Sequence, residues 1–303
     1  MADVITTEAA SSKRVEKSAD RTHAWLRDAS EDLGASPSST GFPAIFAAIP
    51  PIDNVQQSLY LQDIADEYRD FVSGLAIYSS KTVVDLPQSL IELPRLCLSE
   101  PASPHSVLRS MALGVDLSTV PFVGSASDHG IAFTFDFPYP NLEMVVPQSL
   151  GIDLWSLGHA ASTLPLSPGC DCYTCTRHHK AYVHHLLQAK EMLAWTLLQL
   201  HNLAMIDRFF EACRRSIAEG TFEENVKAFS RNYEAEMPVK TGAGPRIRGY
   251  QTKSVGGGEA EKNTKSWGRL DDAAQKVAEA ESGIATPDGH SQQLEEEGFG
   301  EKA

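Results

Sequence analysis

An α/β fold built on a parallel sheet is what this sequence predicts, and three observations predict it. Short, nearly continuous apolar runs, the mark of strands covered on both faces, recur along the first half of the chain. Stretches of helical periodicity separate them, and strand alternating with helix means parallel pairing. The strands are too few to close an eight-stranded barrel, so the sheet is open or part of the fold is missing.

Residues 12–29 read as an amphipathic helix with Val15, Ala19, Ala24 and Leu26 near one side. A Ser/Pro/Gly loop follows at 34–41, then the apolar run from Phe42 to Ile49, stopped by Pro50 and Pro51. A helix is expected over 54–70, strands over 71–78 and 91–98, and a helix opened by Ser103-Pro104 and closed at Met111 to Gly114. Residues 115–117 form a very short strand and 131–137 another. One long helix is expected from about Arg177 to Met205, carried by Val183, Leu187, Leu193, Leu197 and Leu200. Thr221-Phe222-Glu223-Glu224 has the pattern of a capping box starting a last helix to about Glu236. From Met237 onward, glycine-rich and charged composition predicts a disordered tail, with a transient helix at 270–281. Lys240, Arg246, Arg248 and Lys253 form a small basic set there, read as a solvated linker ahead of an RNA contact.

Composition bounds the function. Hydrophobic content of 42% suits a globular protein with a sizeable core. No run of about 18 apolar residues is present, so no spanning helix is expected. Residues 1–11 lack the basic and apolar regions of a secretory signal. A net charge of −14 argues against broad, sequence-blind nucleic-acid binding, which needs many phosphate contacts. The cysteine count is 5, an odd number with metal-type spacing, which indicates a reducing compartment and the cytoplasm by default.

Three of those cysteines, Cys170, Cys172 and Cys175, fall within six residues, and His201 lies on the helix that follows. A Cys3His set is a closed tetrahedral zinc site with no open position for catalysis, so the metal would be structural. A redox cluster is the competing reading. His178, His179, His184 and His185 compete with His201 for the fourth position. Cys97 and Cys213 lie in apolar contexts and read as buried thiols.

Cys-x-Cys-x-x-Cys with a histidine 26 residues after the last cysteine resembles the zinc site of tRNA-guanine transglycosylases. Neighbouring words fit as well: Ala181-Tyr182-Val183-His184-His185-Leu186, Leu200-His201-Asn202-Leu203, Ser73-Gly74-Leu75-Ala76, Leu93-Pro94-Arg95, Gly114-Val115-Asp116-Leu117 and Arg21 through Leu26. The resemblance covers roughly residues 12–236. It implies an irregular (β/α)8 TIM-type barrel with an inserted zinc subdomain, and puts His201 well ahead of its four competitors. On that basis residues 12–148 are the C-terminal portion of a barrel, 149–236 the zinc subdomain and closing helices, and 237–303 the tail. The match starts midway through the family's barrel, and a truncated chain is the expectation.

The family's reaction uses an aspartate nucleophile on the ribose of a flipped-out guanosine. Laid on the family's pattern, the nucleophile position is Thr119, and the following arginine positions are Ser125 and Asp128. The base-reading glutamine position is Pro50, which has no amide to offer. Asp116 and Gly74 keep the family's residue.

The resemblance therefore implies a non-catalytic subunit that keeps one structural zinc ion on Cys170, Cys172, Cys175 and His201. Its partner would be a catalytic homologue, forming a heterodimer that reaches tRNA through the complex. The implied process is exchange of guanine for queuine at wobble position 34 of tRNAs with GUN anticodons, those for Asp, Asn, His and Tyr. The implied location is the cytoplasm, with peripheral association at the mitochondrial outer membrane as a variant. A zinc-stabilised scaffold without a tRNA role and a self-sufficient transglycosylase are the alternative readings.

Overall fold

The computed structural model describes residues 11–33, 44–139, 146–242 and 244–245. Four strands, β1 (Phe46–Ile49), β2 (Gly74–Ile77), β3 (Arg95–Cys97) and β4 (Leu117–Ser118), make one parallel sheet in chain order. Pairing runs Phe46 to Gly74, Leu75 to Arg95 and Leu96 to Leu117. The strands are shorter than their apolar runs, because prolines and polar residues at the run ends leave the ladder. Phe42 and Pro43 lie outside the described residues.

Helix α1 (Ser12–Leu33) and helix α2 (Ser58–Asp66) cover this sheet. Ile64 of α2 packs with Leu75 and Ile77 of β2 in one core cluster, all three at zero exposure. Burying each such side chain contributes about 1.5–3 kcal/mol. His23 of α1 meets Asp63 of α2 at 3.3 Å and packs its ring on Tyr60. Tyr60 in turn donates its hydroxyl to the Ala48 carbonyl of β1 at 2.9 Å. The crossover from β2 to β3 holds two 3-10 turns, and that from β3 to β4 holds α3 (Pro104–Ala112).

Two residues of the Gly114-Val115-Asp116 word secure β4. Asp116 accepts the Arg95 backbone N–H at 2.9 Å and its Nε–H at 3.1 Å. Gly114 has φ of +96°, and any Cβ there would press on the Arg95 guanidinium.

Beyond β4 the expectations need correcting. The segment after Thr119 forms helix α4 (Pro121–Asp128), which burial of Phe122, Val123 and Ala126 holds despite Gly124 and three weak helix formers. The strand expected over 131–137 is only β5 (Ile131–Phe133), and it pairs antiparallel with β6 (Gly151–Asp153), apart from the parallel sheet. Phe135, Phe137 and Tyr139 continue from β5 into an aromatic core with Phe209 and Phe229.

The single helix expected over 177–205 is divided: α5 (Tyr173–Arg177) ends at the first residue of that span, and α6 (Lys180–Gln188) and α7 (Met192–Ala218) follow as separate helices. His178 and His179 are extended, and the His179 Nδ1 accepts the Tyr182 N–H, starting α6 as a cap. Lys190, with φ of +55°, separates α6 from α7. Helix α8 (Phe222–Asn232) stops short of Glu236, and Thr221 does not cap it. The Thr221 hydroxyl faces Ser216 and accepts from Asn225 instead, so the capping box does not form.

Residues 237–242 of the expected tail lie against the body, where Lys240 bonds Ser125 and Thr241 bonds Asp153. Arg246, Arg248, Lys253 and the helix expected at 270–281 fall outside the described residues. No helix among the described residues is long and apolar enough to cross a membrane.

Candidate metal centre

Cys170 lies in a turn before α5, Cys172 caps that helix, Cys175 sits one turn in, and His201 projects from α7. The four are the only group of three or more potential ligands that meet among the described residues, with ligand atoms all within 4.8 Å of one another. The His201 Nδ1 stands 3.8 Å from the Cys170 Sγ, 3.5 Å from Cys172 and 3.4 Å from Cys175. One ring nitrogen carries a single proton or a single lone pair, so it cannot satisfy three sulfurs as a hydrogen-bonding partner. Around a tetrahedral ion with thiolate and imidazole ligands, the S to N edge is about 3.6 Å, which these distances match. The donor set and its spacing fit a metal ion with no ligand position left over.

The surroundings aim the ligands. His201 is fully buried, and its Nε2 lies 2.9 Å from the Phe133 carbonyl. A carbonyl only accepts, so Nε2 carries the proton and Nδ1 is turned to the sulfurs. The Cys175 backbone N–H donates to the Cys172 sulfur at 3.4 Å. Thr174, buried between the cysteines, donates its hydroxyl to the Leu197 carbonyl at 2.7 Å and ties α5 to α7.

Burial would lower the His201 pKa, but the sulfurs of Cys170, Cys172 and Cys175 outweigh it and raise it to about 11. Burial pushes the Cys170 thiol up, whereas the His201 ring and the Cys172 contacts bring it down to about 6. Cys170 thus favours thiolate, the form that ligates metal, and a metal ion would take the place of the imidazole proton.

None of the four competing histidines joins the cluster, and three of them have other contacts. His178 stacks on Tyr182 at 4.9 Å, His179 caps α6, and the buried His184 bonds the Leu154 carbonyl at 2.7 Å. His185 is exposed on α6. Cys97 and Cys213 are buried and apart from the cluster, and burial pushes the Cys213 thiol up to about 12.

Residues 1–235 match the protein family described as queuine tRNA-ribosyltransferase. The chain belongs to that family. Among curated relatives of the family, it is 36% identical over 241 residues to the queuine tRNA-ribosyltransferase accessory subunit 2 of Schizosaccharomyces pombe, covering 79% of this chain and 54% of the relative. To the accessory subunit 2 of Culex quinquefasciatus it is 28% identical over 262 residues, covering 79% and 59%. To the queuine tRNA-ribosyltransferase of Thermus thermophilus it is 32% identical over 179 residues, covering 55% and 42%. The chain spans about half the length of the curated relatives it matches.

Two of the positions that the resemblance marks as departures, Thr119 and Pro50, follow the carboxyl ends of strands of the parallel sheet. Thr119 follows β4 and donates its hydroxyl to the Ser99 carbonyl at 2.6 Å. Pro50 follows β1, is buried, and its carbonyl accepts from the Gln57 side-chain amide at 3.2 Å. Ser125 and Asp128 are both on α4. Sequence reasoning passed over Thr174, Asn202 and the Phe133 backbone. Asn202 stood next to His201 in a matched word, but a backbone carbonyl leaves no trace in a side-chain pattern.

Proposed function

We propose that this chain belongs to a non-catalytic subunit of queuine tRNA-ribosyltransferase, supporting exchange of guanine for queuine at position 34 of tRNAs with GUN anticodons. One observation supports the reading: the four candidate metal ligands meet, while the position that the resemblance assigns to the nucleophile is Thr119. Thr119 is neutral, and its proton is held by the Ser99 carbonyl, with no base beside it in the bonds it forms. Such a hydroxyl cannot replace a carboxylate in forming a glycosyl ester. Pro50 adds to this, because proline offers neither side-chain amide nor backbone donor to a base edge.

The metal in this reading is a single structural zinc ion, since three thiolates and one imidazole saturate a tetrahedral ion. It would pin the Cys170 turn and α5 onto α7. The names of the relatives support a partner, the catalytic subunit. Helix α7 offers a face for one: Leu193, Leu200 and Leu203 are each more than 40% exposed there. The tRNA would then be reached through the heterodimer.

The test is guanine exchange into tRNA with the chain alone, with the catalytic subunit alone, and with both. Activity that needs both and survives Thr119→Ala is the expected outcome. Exchange by this chain alone, abolished by Thr119→Ala, would overturn the proposal. Capture of unrelated partners with no gain in exchange would favour a scaffold.

A further inference from the structure

After α8 the chain turns back over the body as a strap, residues 236–242, which lies beyond the family match. Its root is firm. Glu234 donates its N–H to the Gln148 carbonyl at 2.9 Å, and Ser103 donates its hydroxyl to the Ala235 carbonyl at 3.3 Å. Beyond the root the hold is thin. Glu236, Val239, Lys240 and Thr241 are exposed, and only Met237, Pro238 and Gly242 are half-buried. Among the described residues, no backbone-to-backbone hydrogen bond joins 236–242 to the body. Two side-chain bonds fasten it instead: Lys240 Nζ donates to the Ser125 hydroxyl at 2.7 Å, and the Thr241 hydroxyl donates to the Asp153 carboxylate.

The strap ends against Trp155. That indole is half-buried, and its nitrogen edge is met by both Gly130 and Gly242, where a Cβ on either would overlap the ring. Trp155 Nε1 is shut off from solvent and has no acceptor among the described residues. An indole nitrogen only donates, so the closed strap leaves unsatisfied a polar group that water satisfies on opening. Trp195 is the contrast, because its Nε1 donates to the Asp128 carbonyl at 2.9 Å.

We propose that residues 236–242 are a latch over Trp155 that opens and closes as a unit while the body stays folded. Few apolar contacts, two exposed polar bonds and a covered, unpaired donor bring the closed state close in free energy to the open one. The hinge falls after Ala235, where the paired root ends. The seat is Gly242 on the indole, and the fastening is Thr241 on Asp153, the last residue of β6. Closed, the latch ties α4 to the end of the β5–β6 pair through Ser125 and Asp153. It also sets where the C-terminal remainder of the chain leaves the body: after Gly242 when closed, after Ala235 when open.

The experiment follows hydrogen exchange of the indole N–H protons by NMR on the full, metal-loaded chain, with Trp155→Phe assigning the signal. In the wild type the Trp155 proton should leave more slowly than that of a free indole, yet at least about tenfold faster than that of Trp195. The Phe133 amide, bonded to Asn202, should stay protected meanwhile. Gly242→Ala cannot seat on the ring and should speed the Trp155 proton at least about tenfold. Thr241→Val, which keeps the shape and loses the bond to Asp153, should speed it about two- to tenfold. The Trp195 proton, the thermal melt and the metal content should not move in either variant, which shows that the body is intact. Trp155 and Trp195 protons leaving at one rate together with the Phe133 amide would mean that no local opening occurs, and would overturn the proposal. A Trp155 rate equal to that of a free indole in the wild type, or unchanged in either variant, would overturn it as well.

Discussion

Asn202 accepts the backbone N–H of Phe133 through Oδ1 at 2.9 Å, while its neighbour on α7, His201, takes the Phe133 carbonyl at the same distance. One residue of β5 is thus gripped at both polar ends by consecutive residues of one helix. The Asn202 amide nitrogen goes on to the Ser127 hydroxyl and the Ile131 carbonyl, each at 2.9 Å. The candidate metal ligand is therefore aimed by the same contact that docks β5. Asn202→Ala leaves buried donors and acceptors without partners and should cost about 3 kcal/mol. In thermal unfolding that corresponds to a fall of about 6–12 °C. Because the His201 ring loses its neighbour's support, metal affinity should drop about 10–100-fold in a chelator competition. Unchanged melting would mean that this grip is incidental.

Removing the metal should act on the same elements. Cys172 is both a ligand candidate and the cap of α5, so Cys172→Ser should abolish metal binding and lower thermal stability together. Chelation of the wild-type protein should reproduce that loss, and the variant should be insensitive to chelator. Acid has the same direction. Cys170 has a depressed pKa, so its share of stability is present above the ordinary thiol value and is lost as pH falls through about 6. Metal content followed by atomic absorption should decline in acid, because protons compete with the metal for the thiolates.

The fourth ligand can be separated from its four rivals by substitution. His201→Ala should remove the ion, because its Nδ1 is the nitrogen facing all three sulfurs. His178→Ala and His185→Ala should leave metal content at its wild-type value. His184→Ala should lower stability through the lost Leu154 contact, yet keep the ion. Metal retained by His201→Ala would send the assignment back to the other imidazoles.

That the three cysteines and His201 meet was legible in the sequence, because three cysteines fall within six residues and the resemblance singled out one histidine among five. The parallel strands were legible because β1 and β2 are buried on both faces and so read as continuous apolar runs. What failed was the reading of connections. A histidine imidazole acting as a helix cap at His179 has no composition signal, and Lys190 shows nothing of its positive φ in its residue type. Helix α4 was hidden by Gly124, Ser125 and Ser127, whose weak propensity is overridden by the burial of Phe122, Val123 and Ala126. The antiparallel pairing of β5 with β6 depends on residues far apart in sequence, which periodicity does not link.

Gly74 is the last case, and periodicity offered no reason for it. It pairs with Phe46 across the β1 to β2 ladder, and a methyl group at Gly74 would overlap the Phe46 ring. Gly74 is itself buried and its φ lies outside the positive region, so the constraint is space, not backbone conformation. Gly74→Ala should therefore destabilise the sheet by about 1–3 kcal/mol, the usual result of overpacking. Shrinking the neighbour should relieve it. In a double-mutant cycle, Phe46→Leu combined with Gly74→Ala should cost less than the two single changes added together. Denaturant unfolding of the four proteins measures this coupling, and strict additivity would show that the ring moves aside at no cost.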